Sequence, residues 1–255
     1  MTIIIPMSGI GQRFIDAGYD IPKPLIKIDN LTILDYVVNL FDINCKYIFI
    51  CNDIHEKKYN LKKLLESRYT NSYVYVIEAH KFGPVYAVSQ IFQYLEFEKD
   101  IIVNYCDFYM KWNFNDFKQT IKSLNFDASI IAYTGFHPHL IYEKNLYAGC
   151  KIDVNNNLIE IKEKFSFEID KFKGHHSTGT YYFKNTDIMK YYFKHQLDNN
   201  ITLNNEYYVS LCFNQMVKDN KRVFVYDKVE KFLQWGTPED LNDYFYYKSI
   251  INKFI

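Results

Sequence analysis

Apolar residues fall along this chain in short runs that are apolar on both faces, separated by stretches with helical spacing. The runs Thr2 to Pro6, Lys46 to Cys51, Tyr73 to Ile77, Ile101 to Tyr105 and Ala128 to Tyr133 predict strands buried on both sides, as in a parallel sheet covered by helices. Between them Thr32 is placed to cap a helix over Ile33 to Phe41, and Asp53 or His55 to open one reaching about Ser67. Pro84 suits a first helical position before Val85 to Leu95. After Tyr133 the spacing changes. The segments "YAGCKI" and "LIEIKEK" flank Asp153-Val-Asn-Asn-Asn157, which predicts a hairpin. Helical spacing returns at Asp187 to Lys194 and Glu206 to Val217, "RVFVYD" and "KFLQW" predict strands, and Pro238 to Ile251 predicts a closing helix. The predicted fold class is α/β: a Rossmann-like, mixed and mainly parallel sheet with helices on both faces and a small inserted antiparallel layer. No repeat, linker or low-complexity tail interrupts it, so residues 1–255 are expected to form one domain.

Composition narrows the class of partner. Hydrophobic residues make up 48% of the chain, enough for a generous core, and Lys plus Arg balance Asp plus Glu at 30 each. That balance leaves no global positive field, so nucleic acid is not an expected partner and an anionic ligand must be held by a local site. Five cysteines, Cys45, Cys51, Cys106, Cys150 and Cys212, are scattered without CxxC spacing, which favours reduced thiols over a disulfide framework or zinc site. The start lacks a basic segment with a long apolar stretch, and no later run approaches a membrane span, so the expectation is a soluble, cytoplasmic protein without membrane partners.

The chemistry begins at "MSGIGQRFIDAGYDIPKP", Met7 to Pro24, directly after the first predicted strand. A glycine-bearing loop there sits at the carboxyl edge of a doubly wound sheet, where such folds bind ligands. The dinucleotide fingerprint needs a third glycine where this chain has Phe14, and a P-loop needs Gly-Lys-Ser/Thr, which is absent. What stands here is Gly9-Ile10-Gly11-Gln12-Arg13 followed by Pro22-Lys23-Pro24-Leu25. Glycines let backbone N–H groups close on phosphate oxygens, Arg13 offers a fork of donors, and Lys23 a point charge for phosphoryl charge that grows during transfer. The flanking prolines limit the entropy lost in aiming Lys23. The alternative is a surface turn with two incidental cations.

These two halves together resemble the sugar-1-phosphate nucleotidylyltransferase family, as does "FLQWGTPEDL", Phe232 to Leu241. The resemblance implies a GT-A-like nucleotidyltransferase fold, with residues 1–134 as the nucleotide-binding half and 135–255 as the acceptor-binding half. It implies catalysis by Arg13 and Lys23, and nucleotide contacts from Ser8, Gly9, Gly11 and, in "HKFGPVYAV", Gly83. It implies Mg²⁺ on Asp107, just beyond the fourth apolar run. "IKEKF" is similar to the family's Glu-Lys-Pro element, which places Lys164 on the acceptor phosphate although Phe165 replaces the proline. "STGTYYF" matches the strand after it, where Gly179 would leave room for the acceptor, and His176 lies between the two as a candidate pocket wall. Substrates would be a nucleoside triphosphate and a phosphorylated small-molecule acceptor, with pyrophosphate released.

One position departs from the family. A second metal-binding aspartate two residues before Gly236 is here Gln234, whose amide oxygen can coordinate Mg²⁺ but brings no charge. Thr237-Pro238-Glu239-Asp240 also fits a capped helix start. Gln234 supports one rival, a noncatalytic nucleotide-binding regulatory protein; Arg13, Lys23 and Asp107 argue against it. A nicotinamide-dependent oxidoreductase is disfavoured by Phe14. His137-Pro-His139 and His175-His176 lack the companion residues of a zinc site and are expected to be loop or packing residues.

Overall fold

The computed structural model describes residues 1–251. In chain order the first half contains β1 (Thr2–Pro6), α1 (Gln12–Asp16), β2 (Lys27–Ile28), β3 (Leu31–Thr32), α2 (Ile33–Val38), β4 (Lys46–Asn52), α3 (Asp53–Tyr59) and α4 (Leu61–Arg68). It continues with β5 (Ser72–Ile77), α5 (Pro84–Ser89), β6 (Lys99–Asn104), β7 (Phe108–Lys111), α6 (Phe114–Leu124) and β8 (Ala128–Tyr133). The second half contributes β9 (Gly149–Ile152), β10 (Leu158–Lys162), β11 (His175–Asn185), α7 (Thr186–Asp198), α8 (Phe213–Lys218), β12 (Val223–Val229), β13 (Lys231–Gln234) and α9 (Pro238–Ile251).

The sheet is mixed and mainly parallel at its centre. β1 lies between β4 and β6, all parallel, with β5 parallel outside β4. Ile3 and Ile5 enter one apolar core beneath the sheet and Ile4 enters the other above it. That is why the run is apolar at every position: the strand has no solvent face. β11 runs antiparallel to β6 and β8, and β12 pairs parallel with β8. β9 and β10 form the expected antiparallel pair, with β9 also against the start of β11. Asp153 closes their turn, its Oδ1 accepting from the N–H groups of Asn155 and Asn157 at 2.8 Å each. β7 and β13 make a separate antiparallel ribbon.

Several predicted helices are shorter than their spacing suggests. The one expected from Asp53 to about Ser67 is two helices, broken where Asn60 adopts φ 50° and ψ 50°, and its cap is Asn52, whose Oδ1 accepts from His55 N at 2.7 Å. α2 stops at Val38 and α5 at Ser89, while Glu206 to Tyr208 precedes the helical turns of the Glu206 to Val217 pattern. α6 and β7 are absent from the expectation. α6 is amphipathic, capped by Asn113 with Phe114 and Phe117 buried and Ile121 packed beside them; its apolar spacing was present in the sequence and went unread. Among the described residues no helix is long and apolar enough to cross a membrane, and all five cysteines are buried free thiols.

The start of α2 carries a buried charge. Thr32 and Asp35 form a reciprocal cap, and Asp35 also accepts from Tyr69 OH at 2.7 Å and Arg68 Nη2 at 2.5 Å. Burial pushes the Asp35 carboxyl up, but the bonds from Thr32 and Tyr69 and the charge of Arg68 outweigh it, leaving it below the ordinary aspartate value. A carboxyl depressed in the folded state stabilises the fold above its unfolded value and loses that contribution as pH falls through the folded one. Asp35→Asn should therefore lower unfolding free energy by about 1–3 kcal/mol at pH 7 and flatten the loss of stability below about pH 4. Denaturant titrations at pH 7 and pH 3 check this; an equal deficit at both would contradict it.

Candidate active site

Parallel strands end at the same edge, so β1, β4 and β6 deliver three loops to one place. The loop after β1 is held from both sides. Met7 N bonds Ile50 O at 2.9 Å, Asn52 Nδ2 bonds Ser8 O at 2.9 Å, and Ser8 Oγ lies 3.0 Å from His80 Nε2. Gly11 has φ 74° and ψ 37° as the residue before α1, a left-handed conformation that a side chain makes costly. A Cβ on Gly9 or Gly11 would meet nothing within 4 Å, which leaves the backbone of this loop open to a ligand. Ser8 itself is buried; its hydroxyl serves the loop through His80.

Arg13 stands exposed on α1. Lys23 opens a single 3₁₀ turn behind Pro22 and reaches across to Asp107, Nζ to Oδ2 2.8 Å, with side chains 20% and 28% exposed. Burial, the largest single effect, would lower the Lys23 ammonium, but the charge of Asp107, the nearby Cys106 and the hydrogen bond to Asp107 together outweigh it and Lys23 is raised, with Arg13 opposing weakly. Asp107 follows β6, as expected, and its backbone carbonyl accepts from Trp235 N at 2.8 Å, so the β7–β13 ribbon brings the Gly-Thr-Pro-Glu-Asp segment beside it.

A built Cβ on Gly236 would stand 3.3 Å from Asp107 Oδ2 and 3.6 Å from Asp240 Oδ2. Asp240 caps α9 with Thr237 as predicted, and it also accepts from Gln234 Nε2. Burial pushes the Asp240 carboxyl up and the charge of Asp107 adds to that. The amide oxygen Gln234 Oε1 is buried without a hydrogen-bond partner. Two carboxylates and an orphaned amide oxygen are hard oxygen donors, and Mg²⁺ is commonly held by one or two carboxylates with the rest supplied by water and substrate phosphate. The residues present fit such an ion, with Asp240 adding a charge that position 234 lacks.

The segment expected to meet the acceptor follows β10, in the second half of the chain. Lys164 is exposed with φ 54°, and its Nζ lies 5.8 Å from the centroid of the Tyr208 ring. Its neighbour Glu163 accepts from Ser210 Oγ, and desolvation pushes its carboxyl above the ordinary value. Glu163, Tyr208 and Ser210 are functional candidates that the sequence reading did not single out, and Asp240 is one that it read only as a helix cap. Glu163 and Asp240 stood inside the quoted "IKEKF" and "FLQWGTPEDL", whereas the other two lay in a segment read as helix.

Three expectations need correction in detail. Gly179 does not hold open space: a Cβ there would stand 2.9 Å from the Tyr105 ring, and its φ of 91° makes the register shift between Ser177 and Thr180 in β11. Gly83 does permit a close approach, but by the chain itself, with Tyr207 N 2.9 Å from the built Cβ. His176 is fully buried, its Nε2 bonding Lys171 O at 2.8 Å, because β11 turns it toward Tyr133, and it does not line a substrate wall. His137 and His139 are likewise buried against Tyr133, and burial brings His139 down to about 3; among the described residues no group of three or more acidic, His or Cys side chains is arranged to hold a metal.

Residues 2–247 match the family described as nucleotidyl transferase. The chain belongs to that family and is a nucleotidyltransferase. Its fold is similar to the nucleoside-diphosphate-sugar pyrophosphorylase from Vibrio cholerae RC9, with a TM-score of 0.76 at 18% identity over 94% of this chain and 98% of that one. It is similar also to the inositol-1-phosphate CTP transferase from T. maritima, with a TM-score of 0.69 at 16% identity over 96% of this chain and 93% of that one. No curated protein sequence matches.

Proposed function

We propose that this nucleotidyltransferase joins a nucleoside triphosphate to a phosphorylated small molecule and releases pyrophosphate. The observation that carries the reading is the convergence of an open glycine loop, Lys23 and Asp107 at one sheet edge. An acceptor phosphate oxygen attacks the α-phosphorus in line, the bond from that phosphorus to the bridging oxygen breaks, and the electron pair leaves with pyrophosphate. The backbone N–H groups around Ser8, Gly9 and Gly11 cradle the triphosphate, Arg13 and Lys23 face its developing charge, and Lys164 orients the acceptor phosphate. Asp107, with Asp240 beyond Gly236, would hold Mg²⁺, which when bound neutralises triphosphate oxygens. No covalent intermediate on the chain is needed.

The finer reading takes CTP as the nucleotide and phosphoglutamine as the acceptor, giving CDP-glutamine for bacterial capsule synthesis. It rests on the likeness of "IIIPMSGIGQRF", "AGYDIPKPL" and "QWGTPEDL" to CTP:phosphoglutamine cytidylyltransferases of capsular phosphoramidate synthesis. The T. maritima neighbour is itself a CTP transferase. The second reading, an acceptor sugar 1-phosphate and a nucleoside-diphosphate sugar as product, is favoured by the Vibrio cholerae neighbour. A matrix of the common triphosphates against phosphoglutamine and a set of sugar and polyol phosphates, read by pyrophosphate release, tests both. Turnover confined to CTP with phosphoglutamine is the expected result. Turnover only with sugar phosphates would move the assignment to the second reading, and none with any pair would overturn the mechanism.

A further inference from the structure

Four consecutive residues touch four different parts of this site. Tyr207 N donates to Phe82 O at 2.8 Å and Tyr207 O accepts from Val85 N at 3.1 Å, so the backbone of Tyr207 fills the space that Gly83 leaves. The Tyr208 ring lies under the Lys164 ammonium. Val209 N donates to Tyr105 OH at 3.2 Å, and Ser210 Oγ donates to Glu163. Val209 and Ser210 are fully buried, so the stretch is fixed to the protein interior at one end and to the loop before α5 at the other.

Lys164 needs such support. A lysine seldom adopts positive φ, and it persists there only where its surroundings hold it. On one side Glu163 is tied to Ser210; on the other Phe165 O accepts from Asn145 Nδ2 at 2.6 Å and packs into the place of a missing Cβ, 2.4 Å from the one built on Gly149. The backbone of Lys164 is thus fixed, but its four-carbon stem would still be free to sweep solvent. The face of Tyr208 limits that freedom, since an aromatic face attracts an ammonium.

Building on the assignment of Lys164 to the acceptor phosphate, we propose that Tyr208 is a positioning residue for Lys164. In this arrangement Tyr207 to Ser210 form a clamp that sets the distance between the loop at Gly83 and the acceptor lysine. The ring face, not the hydroxyl, does the positioning. Tyr208→Leu should raise the acceptor KM about threefold to thirtyfold, while the Kd of the matrix-selected triphosphate, measured by calorimetry without acceptor, stays within twofold. Tyr208→Phe should restore the acceptor KM to within twofold of the native protein. A purely structural role would move the triphosphate Kd and the melting temperature together with KM.

Hydrogen exchange of the free protein supplies a readout independent of any substrate: Tyr208→Leu and Ser210→Ala should each speed exchange in the peptide spanning residues 160–168 and leave β5 unchanged. An unaltered acceptor KM in active Tyr208→Leu, or a Tyr208→Phe variant as impaired as the leucine one, overturns the positioning role while leaving the nucleotidyl-transfer reading intact. If the native protein turns over no substrate pair, that reading fails, and unchanged exchange at 160–168 then overturns the clamp on its own.

Discussion

Asp107→Ala should lower kcat/KM for nucleotidyl transfer by about a thousandfold, close to 4 kcal/mol of transition-state stabilisation. The carboxylate has two tasks in the structure. It pairs with Lys23 at 2.8 Å, which fixes the direction of an ammonium on a flexible stem, and with Asp240 it forms the oxygen-donor face that suits a divalent cation. Alanine removes both, so under the proposed mechanism the triphosphate would meet Arg13 and Lys23 without the divalent cation that Asp107 would hold. The fold should survive, because a partly exposed ion pair contributes only about 0–1 kcal/mol; an unchanged circular dichroism melt would establish this. Asp107→Asn keeps the shape and loses the charge, so it should be nearly as impaired. Pyrophosphate release measured with and without excess chelator is the assay, and an alanine variant within tenfold of the native rate, or a native rate indifferent to chelator, would contradict the assignment.

Arg13 and Lys23 give the second large effect. Arg13→Lys keeps the charge but replaces a planar fork that can meet two phosphate oxygens with a single hydrated point charge. The expected loss in kcat/KM is about tenfold to a thousandfold, or about 1.4–4 kcal/mol. Lys23→Ala should cost a similar factor. Both cations would serve one developing charge distribution, so the double variant should lose less than the product of the single losses. Multiplicative losses would place the two side chains in separate sites, and an Arg13→Ala variant with full turnover would reduce the loop to a surface turn.

How far this site could be read in advance depended on how local its causes are. The strands of the first half were legible because Ile3, Ile4 and Ile5 are all buried on a sheet with no wet face, and a short run apolar at every position fits poorly anywhere but a strand covered on both sides. The position of Asp107 followed from strand direction alone. What could not be read was close approach. Gly83 and Gly179 look alike in sequence as places that leave room, yet one is filled by the Tyr207 backbone and the other by the Tyr105 ring, and nothing near either glycine in the chain names its distant partner. Asp240 was hidden for a different reason. Its local duty as a helix cap is real, and only the β7–β13 pairing shows that the same carboxylate faces Asp107. The histidines misled in the opposite sense, since β11 is covered on both faces and His176 is buried with its neighbours, beyond the reach of a substrate.

The long strand β11 has a consequence for how the chain comes to be folded at all. It seals the flank of β6 and lies between β6 and β8, while β12, later still, seals the far side of β8. Until residues 175–185 have left the ribosome, β6 and β8 expose unpaired, strongly apolar edges of the kind that recruit other chains. The glycine loop after β1, completed early in synthesis, therefore waits on pairings far downstream of β6 for a rigid floor. Pairings so distant along the chain close slowly, and a polypeptide interrupted near residue 134 would carry Arg13, Lys23 and Asp107 on a sheet with an open, aggregation-prone seam.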